Sequence, residues 1–140
     1  MRLVLDTNVV VTGMRSPTDA SAALLMAARR GEIAMLANVA LALEYEATCR
    51  RAEHAVAAGL KPAQFATFID AVIAMVEPVE SHFLWRPQLR DPADELMLEA
   101  AVNGQAGAIV TFNEQDFGEV PMQFGVQVLT PVNGLRRIRR

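Results

Sequence analysis

Cys49 is the only cysteine in the 140 residues, so no internal disulfide can form and no multi-cysteine zinc site can be built. A reducing compartment is the corresponding expectation. No apolar run approaches membrane-spanning length, and Asp6 interrupts the N-terminal run before it becomes the apolar region of a signal peptide. A cytoplasmic protein with no membrane partner is expected. Ser16, Ser21 and Ser81 lie in no nucleophile elbow, and a Gly-rich phosphate loop is absent. His54 and His82 have no ligand-like spacing and read as structural or exposed. Positive charge is not in surplus either: a formal net charge of -3 argues against coating nucleic acid by electrostatics alone. A nuclease stays open, because divalent metals can supply positive charge where a phosphate docks.

What is present is apolar. The hydrophobic fraction is 52%, much of it alanine, which favours helix-rich packing in one domain over residues 1–140. Leu3, Val4 and Leu5 form the short apolar run of a buried parallel strand, ended abruptly by Asp6. After Asn8 come Val9-Val10-Val11-Thr12-Gly13 and then Ser16-Pro17-Thr18-Asp19, a turn-rich piece ending in good helix-cap residues, and residues 20–30 read as a helix stopped by Gly31. A second strand is expected over 32–36, and Asn38 can cap a long helix running towards His54. Pro62 opens another helix that Pro78 ends, and 79–89 are compatible with one short strand. Asp91-Pro92 starts a helix to Val102; strands follow over 108–111 and 126–129, and Pro131 begins a short terminal helix. Strands alternating with helices predict an α/β fold, with a mostly parallel twisted sheet of about four to five strands and helices on both faces.

Ligands collect at the carboxyl ends of strands in such sheets, which is where Asp6-Thr7-Asn8 would lie. A carboxylate there is costly to bury unpaired. Glu44 has Ala40, Leu41, Ala47 and Thr48 as helical neighbours and shares a mostly apolar face, either as a site residue or as that face's rim. Asp91 is most simply an N-cap. Asp94, with Met97 and Leu98 as neighbours, turns inward, whereas Glu95 lines up with Glu99 on a polar stripe. Asn113, at the end of the 108–111 strand, either forms a turn or lends a carbonyl oxygen to a hard cation, with Glu114 and Asp116 near enough to contribute. Oxygen donors converging from separate elements would repel one another when empty, and Mg²⁺ or Mn²⁺ would relieve that repulsion and activate water on a phosphodiester. Arg29-Arg30, Arg50-Arg51, Arg86 with Arg90, and the terminal arginines could touch RNA phosphates or an acidic partner, although paired arginines are usually solvated.

Three short motifs then stand in a telling order: Leu5-Asp6-Thr7-Asn8-Val9, Arg90-Asp91-Pro92-Ala93-Asp94, and Ala108-Ile109-Val110-Thr111-Phe112-Asn113 followed by Asp116-Phe117. Together they resemble the PIN-domain family, which includes the VapC-like toxins of bacterial toxin-antitoxin pairs. The resemblance implies a Mg²⁺- or Mn²⁺-dependent ribonuclease, often a homodimer and often inhibited by an antitoxin protein. It also implies that Asp6, Glu44 and Asp94 are the catalytic, metal-holding acids. The fourth family position is commonly aspartate and is Asn113 here, which lowers the site charge by one; either the metal binds more weakly, or Glu114 or Asp116 substitutes, or turnover is lost. A catalytically silent PIN fold that works by binding a partner is the alternative. A haloacid-dehalogenase-like phosphatase using Asp6 as nucleophile is disfavoured, because position 8 is asparagine and Lys61, the lone lysine, precedes Pro62 at a helix start.

Overall fold

A computed structural model describes residues 1–51, 56–80 and 89–139. Five strands form one all-parallel sheet: β1 (Arg2–Leu5), β2 (Ala34–Ala37), β3 (Val76–Pro78), β4 (Ala108–Val110) and β5 (Gln127–Leu129), in the order β3-β2-β1-β4-β5. The expected α/β class is therefore what is found. β1 and β4 are central and fully buried along Leu3, Val4, Leu5, Ala108, Ile109 and Val110, as a sheet covered on both faces requires.

The helices are α1 (Thr7–Arg15), α2 (Ala20–Arg29), α3 (Val39–Cys49), α4 (Pro62–Met75), α5 (Pro92–Asn103), α6 (Val120–Gln123) and α7 (Pro131–Ile138), with a 3-10 turn over Glu114–Asp116. From β1 to β2 the chain moves towards one edge of the sheet; from β3 to β4 it returns past β2 and β1. Right-handed crossovers then put α5 on the face opposite α1 and α2. α5 packs on β1, β2 and β4, while α7 packs on α2.

Several expectations are corrected. The turns are confined to residues 16–19, which end in Asp19 capping α2 as expected, whereas the stretch ahead of them is helix α1: Asp6 caps it, and Val9, Val10 and Val11 go into the core, so tertiary burial outweighs their weak helix propensity. The third strand lies at Val76–Pro78, immediately ahead of the stretch expected to hold it. Pro78 is tolerated there because β3 is an edge strand. The helix capped by Asn38 ends at Cys49; the expectation around His54, like those for Ser81, His82, Arg86 and Arg140, falls outside the described residues. α6 was not expected at all. Among the described helices, none is long and apolar enough to cross a membrane.

Candidate active site at the β1–β4 switch point

The chain leaves β1 towards β2 and leaves β4 towards β5, so the strand order reverses between these two neighbours. Their carboxyl ends flank a topological switch point, where open α/β sheets bind ligands. Register fixes what stands there. Leu5 pairs with Val110, and the Asp6 amide donates to the Val110 carbonyl at 2.8 Å, which brings Asp6 beside Thr111. The Thr111 hydroxyl donates to Asp6 Oδ2 at 2.7 Å, and the Asn8 amide donates to Oδ1 at 3.4 Å. Asp6 is only 7% exposed, so both donors help offset the cost of burying a carboxylate.

Glu44 reaches the same place from α3. The Thr7 hydroxyl donates to its Oε2 at 3.1 Å, and the carboxylate is half-buried. The next residue, Tyr45, is wholly buried and donates its hydroxyl to the Leu5 carbonyl, pinning α3 to the end of β1. Burial, followed by the charges of Asp6 and Glu44, pushes the Tyr45 phenol well above its ordinary range, so it stays a donor. The end of β2 is further tied to α5 by Asn38. Its Oδ1 accepts from the Leu41 amide at 2.8 Å while its Nδ2 donates to the Leu96 carbonyl at 3.1 Å.

Asp94 sits in the first turn of α5, half-buried. Burial is the largest influence on its carboxyl, followed by the charges of Asp91, Asp6, Asp116 and Glu44, and together they push it up to about 6. Acids from the end of β1, α3, α5 and the 3-10 turn thus share one electrostatic neighbourhood. Asp116 belongs to it although it is exposed, because the adjacent Phe117 is anchored in the core. Glu114 is not among the charges acting on Asp94. Asn113 is half-buried at the start of that turn, and its amide donates to the Thr111 hydroxyl at 3.0 Å. Asp91 is indeed the cap of α5, accepting from the Ala93 amide at 2.8 Å.

Glu95 departs from expectation. It is 9% exposed rather than on a polar stripe, and its Oε2 accepts from the Leu89 amide at 2.8 Å. The carboxylate thereby holds the backbone leading into α5. A cleft of about 470 Å³ opens beside the acids, lined by Arg90, Asp91, Asp94, Gln115, Asp116 and Gly118 among others. Among the described residues no three acidic, histidine or cysteine side chains close into a ready-made ligand cluster. Asp6 and Glu44 are instead bonded to threonine hydroxyls. The donor set still suits a hard divalent cation, which takes oxygen ligands, and magnesium keeps several waters between itself and its protein ligands. Cys49 offers no second centre, since burial raises its thiol to about 11.

Thr7, Thr111 and Tyr45 were not singled out from sequence. Their signal was position alone, each lying beside an acid or a strand end.

An all-parallel α/β sheet with acids at its switch point is an architecture suited to phosphodiester chemistry. A family model described as the PIN domain matches residues 2–115, and the chain belongs to that family. PIN domains are generally nucleases. The match ends one residue before Asp116, so Asp116, α6, β5 and α7 lie beyond it. No curated protein and no solved structure matches the chain.

Proposed function

We propose that this protein is a metal-dependent endoribonuclease, the toxin component of a VapC-like toxin-antitoxin pair, which hydrolyses RNA phosphodiester bonds at the β1–β4 crevice. The observation that carries the reading is the shared electrostatic neighbourhood of Asp6, Glu44, Asp94 and Asp116, acids drawn from four separate elements. Asp6, Glu44 and Asp94 are the ligands, with Asp116 completing the set and Asn113 at its rim. Hard oxygen donors of this kind suit Mg²⁺ or Mn²⁺. Such an ion, when bound, activates water and offsets the charge that develops on a phosphodiester during in-line displacement.

The chain's own residues prepare that chemistry. Thr111 and the Asn8 amide hold the Asp6 carboxylate in one orientation, and Thr7 does the same for Glu44. Asp94 keeps its proton to a higher pH than an ordinary aspartate and releases it as a cation joins the cluster, so loading is favoured as pH rises. Arg90, exposed in the cleft, takes an RNA phosphate next to the acids. Val39 and Leu43 are exposed on α3 alongside Glu44 and offer apolar surface for an antitoxin or a second copy.

The test is cleavage of single-stranded RNA by the purified chain. Cleavage is expected to vanish with EDTA, return with Mn²⁺, and be lost in Asp6→Asn and Asp94→Asn variants that keep their circular dichroism. Cleavage persisting in either variant would reject the assignment. A second reading, a silent PIN fold acting by partner binding, is favoured by Asn113, which leaves the site one carboxylate short. Calorimetry separates the two, because the silent protein would take up no Mn²⁺ at millimolar concentration.

A further inference from the structure

Phe112 is an exposed ring beside the candidate site. It follows β4 directly, is 45% exposed and stands outside the packed core, while Leu5 at the end of the neighbouring strand β1 is fully buried. Local backbone geometry explains the position. The Thr111 hydroxyl accepts from the Asn113 amide at 3.0 Å while donating to Asp6 at 2.7 Å. This hydroxyl closes a small turn around Phe112 and ties the same turn to the buried acid. Phe112 thus follows directly on the residue that holds Asp6, at the carboxyl end of β4, on backbone that cannot shift without disturbing Asp6.

An exposed aromatic at that place offers a π-face that a flat partner can cover. Its neighbours narrow the choice. The crevice is acidic, and the cleft beside it carries one described cation, Arg90, which is exposed and forms none of the described ion pairs. A phosphate on Arg90 and a π-face at Phe112 are the two elements with which proteins hold a single strand, namely backbone charge neutralisation and base stacking. Duplex RNA offers no such face, because its bases are already stacked.

We propose that Phe112 is a stacking platform for an unpaired nucleobase next to the scissile phosphate. This rests on the nuclease reading for the phosphate's location, but it can fail separately.

Binding is measured by fluorescence anisotropy with a short labelled single-stranded RNA, in Ca²⁺ to suppress turnover. A matched oligonucleotide carries an abasic residue at the position flanking the cut. Phe112→Ala is expected to weaken binding of the intact strand about tenfold, within the usual range for loss of one base–aromatic stack. Phe112→Trp is expected to restore it. The abasic strand should bind all three proteins alike, and thermal melting should be unchanged because the ring lies outside the core. Equal binding of intact and abasic strands by the unmodified protein would overturn the proposal even if cleavage is observed. Tenfold discrimination without cleavage in any metal would leave stacking intact and remove the nuclease reading. A change in oligomeric state on size-exclusion chromatography of Phe112→Ala would show that a second copy covers the ring, and would also overturn it.

Discussion

Asp6 and Asp94 are two aspartates of one site with opposite surroundings. Asp6 is buried between central strands and held by a hydroxyl and a backbone amide. Asp94 is half-buried on a helix, has no described hydrogen bond, and faces four other carboxylates. One is fixed in place by the sheet; the other is left electrostatically dissatisfied. The contrast teaches that this site separates orientation from affinity. On the proposed reading the strand side would supply a rigid ligand, while the helix side supplies uncompensated negative charge that a cation would neutralise.

The sharpest way to break that contrast is to neutralise each acid in turn. Asp6→Asn and Asp94→Asn should each lower RNA cleavage by at least about a hundredfold, since each removes a ligand of the charge-stabilising centre. Comparable single-turnover rates for either variant and the unmodified protein would contradict the shared site. Removing only the orientation is milder. Thr111→Val leaves the shape and deletes the hydroxyl on Asp6, so Mn²⁺ affinity read by calorimetry should fall roughly tenfold or more. The same substitution at a solvent threonine such as Thr67, whose hydroxyl bonds its own helix, should not change it.

Stability changes are smaller still. Tyr45→Phe removes the buried bond to the Leu5 carbonyl and should cost about 1–1.5 kcal/mol in urea unfolding. Asp94→Asn should act in the other direction. The folded carboxyl binds its proton more tightly than the unfolded chain does, so the native state is penalised as pH rises from about 4 towards about 6, and the penalty persists above that. Discounted for solvent exposure, the metal-free variant should be more stable at pH 7 by on the order of 1 kcal/mol, with no gain at pH 4. Melting temperatures at the two pH values check it. A variant that is less stable at pH 7 would mean that Asp94 is compensated rather than crowded.

The sequence was most legible where one physical rule acted alone. An apolar run ended by Asp6 gave β1, Asp91-Pro92 marked the start of α5, and Pro131 marked α7. Where rules compete, local reading went astray. Three consecutive valines favour a strand, but Val9 to Val11 are helical because Asp6 caps them and the core buries them. Glu95 reads as solvated by periodicity and is buried because the Leu89 amide needs an acceptor that no short-range pattern announces. The site divides in the same way. Its acids could be nominated from spacing and family resemblance, whereas the threonines that orient them depend on a strand register linking residues 105 apart in the chain.

Paramagnetic broadening by Mn²⁺ in carboxyl-carbon NMR of the full chain tests the central claim most directly. The resonances of Asp6, Glu44, Asp94 and Asp116 should vanish together at substoichiometric ion, while Glu46, paired with Arg50 on the outer side of α3, and Glu119 stay sharp. Broadening spread evenly over all the acids, or centred on a different group, would contradict a single pocket at the β1–β4 crevice.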